Sequence, residues 1–395
     1  MQSGRGELLD AIQNHDRVGG LSHDFYRYPA RFSPVLARSV IQHFTEPGDT
    51  VLDPFVGGGT SIVEARALAR NAIGADISGL AAFISQVKTT PLTSSDSAAL
   101  RSWAEDLPRS LKLRNLAVPA LDWRMMGYQR NIGDKRTWPI RKTLELAIHR
   151  AQGLPLLRQQ RFARCALLKT AQWALDCRRD IPPAAEFRSR LIENLHGMLA
   201  GIQEFAAAVD EAERAHGLEG KLSTQCLHRS AAGLEHEPRL AQLPRPSLVL
   251  TSPPYPGVHV LYHRWQVRGR RETPAPFWLA DSLDGHGCAH YTFGDRQRQK
   301  LTTYYEGMHE AFGSIARVIQ PETLVVQVLA FSDASWQLPK YLRVMAAAGF
   351  EEVSIRLADT PDGRAWRVVP NRKWYASQRG MVHASQEVLL FHRLR

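Results

Sequence analysis

The sequence predicts an α/β fold with a mostly parallel central sheet and a helical insertion. Residues 50–76 alternate a short apolar run, a glycine turn, a segment of helical periodicity and a second apolar run, which is typical of a strand–helix–strand unit. Apolar runs resume at 247–255 and 323–331. Because a strand–helix–strand unit pairs its strands in parallel, the pattern favours a Rossmann-like sheet covered by helices.

The first half of this sheet is predicted from five consecutive segments. The earliest is an amphipathic helix with Pro34 in its first turn, where the missing N–H of proline costs nothing. The five segments are a helix at 34–44, a strand at 50–55, a helix at 60–70, a strand at 71–78 and a helix at 79–90.

A helical segment then separates the two halves of the sheet. Ser and Asp capping signals at residue 93 begin it, and Pro182-Pro183 break it into two parts before it ends near 216. We therefore divide the chain into three parts. They are residues 1–95, a helical insertion at 96–216, and the remainder of the main domain at 217–395.

The second half of the sheet is predicted from apolar runs separated by a helix. Residues 264–300 are polar and punctuated by Gly and Pro, which predicts a long loop. The remaining predicted elements are strands at 247–255 and 323–331, a helix at 338–350, and strands at 351–357 and 385–393.

The net charge indicates an anionic partner, with nucleic acid first and a membrane surface second. Lys and Arg number 50 against 39 Asp and Glu, for a formal charge of +11. Residues 101–190 hold 19 of the basic and 8 of the acidic residues, so the whole excess lies in the insertion. Interleaved Trp and Tyr there suit phosphate contacts with base stacking, although a solvated helical face is the alternative. The candidate contacts are Arg141, Lys142, Arg178, Arg179, Arg264 and Arg268.

Cysteine content and hydropathy point to the cytoplasm. Four Cys without close pairs exclude a disulfide scaffold and a zinc finger. The N-terminal segment lacks a signal-peptide pattern, and no apolar run approaches 18 residues, so no membrane partner is expected. His286, Cys288 and His290 are interpreted as part of a polar loop, and no metal site is predicted.

A glycine turn follows the first predicted strand, in the sequence DPFVGGGT (53–60). Glycines there let a ligand approach the backbone at the carboxyl edge of a parallel sheet. The third glycine of a dinucleotide fingerprint is missing, because Ile62 follows, and the lysine of a Walker A loop is absent. Phosphate binding is thus disfavoured, and a plain packing turn is the alternative.

A proline turn, TSPPY (251–255), ends a later predicted strand. Two consecutive prolines fix φ and remove two N–H donors, which leaves rigid carbonyls that only accept hydrogen bonds. A serine hydroxyl, a fixed carbonyl and an aromatic ring together suit a planar exocyclic amine. An ordinary proline turn is the alternative for this motif alone.

Together these motifs make the sequence similar to the amino-directed DNA methyltransferases, the N4-cytosine and N6-adenine group. DPFVGGGT matches their cofactor motif and TSPPY their catalytic motif, with Ser before the prolines resembling the N4-cytosine branch. Residues 23–41 (HDFYRYPARFSPVLARSVI) and GADIS (74–78) resemble further cofactor-side motifs. The resemblance implies a class I methyltransferase fold, S-adenosyl-L-methionine as cofactor, double-stranded DNA as partner and a cognate restriction endonuclease as a further one.

The resemblance also implies residue roles. Ser252 and the Pro253 carbonyl would hold the target amine, beside Pro254, and Tyr255 would stack on a base flipped out of the duplex. Asp76 would accept hydrogen bonds from the cofactor ribose. The other implied cofactor residues are Asp53, Pro54, Phe55, Gly57, Gly58, Gly59 and Thr60, with Tyr28, Pro29 and Arg31 at the methionine end.

Two departures from the family pattern stand out. His228-Arg229 occupy the place where an acidic residue often contacts the cofactor adenine, and the basic insertion is not a general family segment. C5-cytosine methylation is disfavoured because none of the Cys follows a proline. An RNA amino-methyltransferase and an inactive nucleic-acid-binding protein stay open as alternatives.

Overall fold

The structure is a computed structural model. It describes residues 2–14, 16, 18–28, 32–110, 127–256, 264–269, 271–283, 301–355, 363–368 and 386–395. Its helices are α1 (Gln2–Gln13), α2 (Pro34–Phe44), α3 (Thr60–Ala67), α4 (Gly79–Thr89), α5 (Ser94–Ser110), α6 (Trp138–Gln152), α7 (Leu157–Leu175), α8 (Ala184–Ala215), α9 (Ala275–Ala280), α10 (Thr302–Val318) and α11 (Ala334–Ala347). Its strands are β1 (Thr50–Asp53), β2 (Asn71–Asp76), β3 (Thr224–His228), β4 (Leu248–Thr251), β5 (Trp265–Val267), β6 (Arg271–Thr273), β7 (Leu324–Leu329), β8 (Phe350–Glu352), β9 (Ala365–Val368) and β10 (Gln386–Leu394).

An eight-stranded sheet forms the centre of the molecule, in the order β3-β2-β1-β4-β7-β10-β8, with β9 paired to β10. The first five strands of this order are parallel to one another. β10 runs antiparallel between β7 and β8. The predicted Rossmann-like α/β fold with a mostly parallel sheet is confirmed by this order.

Helices cover both faces of the sheet, which explains why the central strands β1, β4 and β7 are buried along their whole length. Val51 of β1 faces a core shared with α1, α2 and α3. The next residue, Leu52, faces the opposite core, which is shared with α10 and α11. All four residues of β1 are buried, as expected for a strand covered on both sides.

The insertion packs on the main domain through a third core. Helices α5–α8 share this core with α4, residues 25–28, the β5–β6 hairpin and α9. Helix α5 begins with a reciprocal cap, in which the Asp96 carboxylate accepts from the Thr93 N–H at 2.9 Å and Thr93 Oγ1 accepts from the Asp96 N–H at 3.2 Å. The two-part division predicted at Pro182-Pro183 was incomplete, because the insertion also breaks between α6 and α7 at Gly153–Leu156.

The predicted long loop at 264–300 is wrong in its first part. Trp265 and Val267, on alternate positions of β5, are buried. A turn in which Gly269 has φ of +103° then leads to β6, which pairs antiparallel with β5. Helix α9 then buries Phe277 and Trp278 in the insertion core. This segment is ordered because its aromatic residues complete that core. Residues 284–300, with His286, Cys288 and His290, lie outside the described residues.

Helix α11 begins at Ala334, four residues before the predicted start, because the Asp333 carboxylate caps it by accepting from the Ser335 N–H at 3.2 Å. Among the helices that the structure describes, none combines the length and apolar composition needed to cross a bilayer.

Candidate active site at the carboxyl edge of the sheet

The loop after β1 has a conformation that glycine adopts easily. Gly57 and Gly59 have φ of +47° and +80°, in the left-handed region. A Cβ at Gly59 would lie 2.9 Å from Ser85 Oγ and 3.2 Å from Ser85 Cα, so α4 closes over the loop. The buried Nζ of Lys88 donates to the Gly58 carbonyl at 2.7 Å. Helix α4 therefore fixes the shape of the glycine turn.

Asp53, the last residue of β1, connects this loop to the segment after β4. Its carboxylate accepts from Ser61 Oγ, from Thr251 Oγ1 at 2.6 Å and from the Phe55 N–H at 3.1 Å. Burial raises the pKa of Asp53 to about 6, although the hydrogen bonds act in the opposite direction. With only 3% of its surface exposed, Asp53 holds segments together and shapes the site.

Asp76, at the end of β2, presents a carboxylate at the same edge. Its oxygens accept from the Gly57 N–H at 2.9 Å and the Ser78 N–H at 2.8 Å, and burial raises its pKa to about 6. Ile77 follows with 47% of its surface exposed. Sequence reasoning missed Ile77, whose signal was its position directly after an acidic strand end. A carboxylate beside an exposed apolar side chain suits a ligand with hydroxyl groups and a flat ring.

Three other predicted cofactor residues lie around the start of α3. Pro54 and Thr60 are buried, and Thr60 is the first residue of the helix. Phe55 is half-buried, with its ring centroid 6.4 Å from that of Phe312 on α10. Phe55 thus borders the loop from the side of α10.

Tyr28 lies against the glycine loop from the N-terminal side. It is buried, and its Cε1 lies 3.2 Å from the position that a Cβ at Gly57 would take. The aromatic ring therefore lines the turn. Pro29 and Arg31 lie outside the described residues.

The TSPPY segment places two hydroxyl groups in contact with each other. Ser252 Oγ lies 2.9 Å from Tyr255 Oη, and Tyr255 Oη donates to Glu387 Oε1 at 2.9 Å. Tyr255 is 7% exposed. The partner Glu387 was not found from the sequence, because 132 residues separate it from Tyr255.

The two proline carbonyls of this segment differ in their partners. The Pro254 carbonyl accepts from Tyr304 Oη of α10 at 2.8 Å. No donor within the described part of the chain bonds to the Pro253 carbonyl. The Pro253 carbonyl is thus an acceptor beside the Ser252 hydroxyl.

The structure brings the two motifs together. Thr251, directly before Ser252, bonds to Asp53, directly before the glycine loop. Parallel pairing of β1 with β4 and with β2 puts the ends of all three strands at one edge. The glycine loop, Asp76 and the Ser252 hydroxyl therefore belong to a single site.

Comparisons with known proteins find similarity in a part of the chain that contains the glycine loop. A family model described as DNA methylase matches residues 10–84, which include the glycine loop and Asp76. Type II methyltransferase M.BsoBI of Geobacillus stearothermophilus is 45% identical over 56 residues, which are 14% of this chain and 11% of that protein. Type II methyltransferase M.MvaI of Kocuria varians is 39% identical over 75 residues, which are 18% of this chain and 16% of that protein.

Type II methyltransferase M.MjaI of Methanocaldococcus jannaschii is 47% identical over 71 residues, 18% of this chain and 21% of its own. Over these stretches the chain is similar to DNA methyltransferases of the amino-directed group. The matched stretches span about a tenth to a fifth of these relatives. TrmN from Thermus thermophilus aligns with 92% of this chain and 49% of its own at 12% identity and a TM-score of 0.29, so the fold assignment depends on the strand order instead.

The similarity to DNA methyltransferases implies S-adenosylmethionine as methyl donor. The residues present at the site fit this cofactor. The Asp76 oxygens each accept one backbone N–H and retain a lone pair for a ribose hydroxyl. Exposed Ile77 offers an apolar surface for the adenine ring. The glycine loop leaves space beside Tyr28 that a Cβ would fill.

His228 ends β3 and Arg229 follows it, at the place where an acidic residue was expected. Arg229 turns away from the site, donating to Glu237 Oε2 at 3.1 Å and to the Gly233 carbonyl. His228 stays exposed at the edge, and its Nε2 bonds to the Ile77 carbonyl at 3.1 Å. His228 is thus the side chain of this pair that lies beside Asp76 and Ile77.

Most of the predicted nucleic-acid contacts have protein partners. Arg141 and Lys142 lie 3.5 and 3.2 Å from the carboxylate of buried Glu145. Arg178 and Arg190 flank the Trp173 ring, at 4.7 and 5.1 Å from its centroid. Trp173 is therefore covered by guanidinium groups.

The two predicted contacts in the hairpin region are also paired. Arg264 donates to Glu272 at 2.8 Å, and Arg268 donates to Asp134 at 2.6 Å. Arg179 alone among the six is exposed with no ion pair within the described residues. As for the aromatic residues, Trp103 and Tyr128 are core residues, and Trp123 lies outside the described residues.

A second group of basic side chains lies at the turn that contacts the hairpin. Asn131 of this turn donates to the Glu272 carbonyl at 2.7 Å. The exposed members of the group are Arg130, Lys135 and Arg136. These three cations lie next to the hairpin that follows the TSPPY motif, and we name them the basic turn.

Proposed function

We propose that this protein is an S-adenosylmethionine-dependent DNA methyltransferase that modifies an exocyclic amino group, with N4 of cytosine as the target. The observation that carries the proposal is the position of Ser252 and the Pro253 carbonyl. They lie at the same sheet edge as Asp76 and the glycine loop, through the 2.6 Å bond between Thr251 and Asp53.

The chemistry asked of this chain is mainly positioning. S-adenosylmethionine, when bound, supplies an electrophilic methyl group on a sulfonium sulfur. A cytosine amine is conjugated with its ring and is a poor nucleophile. Hydrogen bonds from the amine to Ser252 Oγ and the Pro253 carbonyl would draw it toward tetrahedral geometry and direct its lone pair at the methyl group.

A covalent route through cysteine is disfavoured by the described thiols. Burial raises the pKa of Cys165 to about 12 and that of Cys226 to about 11, so both stay protonated near neutral pH. Cys177 lies in the insertion, where the carboxylate of Asp176 and burial also raise the pKa of the thiol. Because a protonated thiol is a poor nucleophile, these raised pKa values favour direct attack by the amine on the methyl group.

The base must leave the duplex to reach this edge, and Tyr255 and the insertion are the parts that would receive DNA. Stacking of Tyr255 on the flipped base stays part of the proposal. The basic turn supplies exposed cations for phosphate contacts beside the hairpin. A cognate restriction endonuclease is included because the matched relatives are named Type II methyltransferases.

Nucleoside mass spectrometry of DNA from cells that express the protein tests the proposal. N4-methylcytosine should accumulate with the wild-type chain and fall to background with Ser252→Ala. Ser332→Ala, which removes a hydroxyl outside the TSPPY segment, is the matched control and should leave the modification unchanged. N6-methyladenine would correct the target base, and methylation confined to tRNA or rRNA from the same cells would overturn the DNA substrate.

A further inference from the structure

Glu387 lies at the candidate active site because of the direction of β10. β10 is antiparallel to β7, and Val388 faces Leu329, the last residue of β7. The first residues of β10 therefore lie at the edge where the parallel strands end. Glu387 reaches Tyr255 from this position, at 2.9 Å between Oη and Oε1.

The hydrogen bonds from Ser252 to Glu387 have a defined direction. A tyrosine hydroxyl has one hydrogen, and that of Tyr255 is donated to the Glu387 carboxylate. In the 2.9 Å contact between Ser252 and Tyr255, the donor is therefore Ser252. The Ser252 oxygen is left as an acceptor, which is the role that an amine N–H requires.

Arg367 completes the arrangement from the neighbouring strand. Arg367 of β9 is paired with Glu387 of β10 in the sheet register, and its Nε lies 3.5 Å from Glu387 Oε2. Both side chains are largely buried, with 8% and 12% exposed. The guanidinium balances the carboxylate and holds one oxygen, while the other oxygen faces Tyr255.

We propose that Glu387 is a positioning residue: by accepting from Tyr255 it orients the Tyr255 and Ser252 hydroxyls so that Ser252 Oγ can accept a hydrogen bond from the target amine. Glu387 also takes up the proton that is released on methylation. This inference rests on the proposed function and adds a residue to it. Glu387 acts through Tyr255 and Ser252 and does not itself contact the base.

Methyl transfer and the release of the proton conserve atoms and charge. The amine lone pair forms the new N–C bond while the methyl–sulfur bond breaks, with its electron pair left on sulfur. The amine then carries a positive charge and gives one proton to Ser252 Oγ. Ser252 passes its own proton to Tyr255 Oη, and Tyr255 passes its proton to Glu387, which becomes a neutral carboxylic acid.

Glu387→Gln tests the charge alone, because the amide oxygen still accepts from Tyr255. Single-turnover methyl transfer to duplex DNA at saturating cofactor should fall by roughly 100-fold, the range of proton-transfer catalysis. Dissociation constants for S-adenosylmethionine and DNA, measured by calorimetry and fluorescence anisotropy, should not change. Glu351→Gln on β8 is the matched control and should transfer methyl groups at the wild-type rate.

Chemical rescue separates a proton acceptor from a structural carboxylate. Glu387→Ala leaves space for a small carboxylate, and added formate should restore part of its single-turnover rate in proportion to concentration. The rate of the Glu351→Ala control should not respond to formate. A Glu387→Gln protein that keeps the wild-type rate, or a Glu387→Ala protein that formate does not accelerate, would overturn the proposal.

A measurement without substrate tests the hydroxyl arrangement directly. In urea unfolding of the resting protein, Tyr255→Phe and Glu387→Ala each remove the hydrogen bond between the two side chains. Each should shift the midpoint, and the double variant should shift it by less than the sum. Additive shifts would overturn the contact whether or not methylation is detected. A wild-type protein that shows this coupling but methylates neither DNA nor RNA would instead overturn the proposed function, and the catalytic role of Glu387 with it.

Discussion

A single buried carboxylate, Asp53, connects the two halves of the site. The carboxylate binds Ser61 and Thr251, which are 8 and 198 residues away along the chain. The pKa of Asp53 is raised from 3.8 to about 6. Between these values the folded protein holds a proton that the unfolded chain has released, so the free energy of unfolding decreases as the pH rises through this window.

Asp53→Asn should therefore flatten this part of the pH dependence. Between about pH 3 and about pH 7, the wild type should lose about 3 kcal/mol of unfolding free energy from this group. The variant lacks this group, so its loss over the same range should be smaller by that amount. Urea unfolding at a series of pH values measures it, with exposed Asp10→Asn as the control. An identical slope in wild type and Asp53→Asn would contradict the assignment. Asp76 shifts in the same direction and leaves its own slope in both proteins.

Motifs whose residues restrict their own backbone could be predicted from the sequence, whereas contacts between distant parts of the chain could not. DPFVGGGT and TSPPY could be found because glycine and proline restrict the backbone at their own positions. Glu387 gave no such signal, and neither did the bond from Thr251 to Asp53, since these contacts join residues 132 and 198 positions apart. Those contacts follow from the strand order, which a single sequence does not determine.

At the level of elements, the contrast between helix α8 and the β5–β6 hairpin shows how a short element escapes prediction. Helix α8 extends over 32 residues, and its apolar periodicity is easily recognised. The strands β5 and β6 have three residues each, too few for an alternating pattern to stand out from a polar loop. Their stability comes from tertiary contacts, such as the Cys177 N–H that donates to the Gln266 carbonyl at 2.8 Å.

Two glycines of α8 provide a test of how the insertion is attached. A Cβ at Gly201 would lie 2.4 Å from the Leu21 carbonyl oxygen, whereas one at Gly197 would meet nothing within 4 Å. Gly201→Ala should lower the free energy of unfolding by about 2 kcal/mol, because backbone must move.

Gly197→Ala, one turn earlier on the same helix, is the control and should raise that free energy by about 0.5–1 kcal/mol through helix propensity. Urea unfolding followed by circular dichroism measures both variants. Equal effects of the two substitutions would mean that α8 does not pack closely on residue 21.

For the whole molecule, the positive charge is concentrated but largely neutralised where it was expected to act. Arg141, Lys142, Arg264 and Arg268 are paired with carboxylates. Composition located the charge in the insertion, but pairing depends on which carboxylates the fold brings near. The exposed basic turn is therefore the better candidate for contact with phosphates.

Replacing Arg130, Lys135 and Arg136 with Ala should weaken DNA binding and reduce its salt dependence. Each phosphate contact contributes about 0.9 to the slope of log K against log salt, so three lost contacts should lower the slope by about 2.7. The control replaces Arg214, Lys221 and Arg395, which are exposed near the amino ends of the parallel strands. Fluorescence anisotropy from low to moderate salt measures both slopes, and equal slopes would exclude the basic turn from the interface.

The place of β10 between β7 and β8 has a consequence for how the protein is made. Both neighbours precede β10 in the chain, so β7 presents an open edge to solvent or to a chaperone while residues 386–394 are still being translated. Closure of the sheet and delivery of Glu387 to Tyr255 then happen in one event. A nascent chain on the ribosome would acquire its completed active site only when this strand emerges from the exit tunnel.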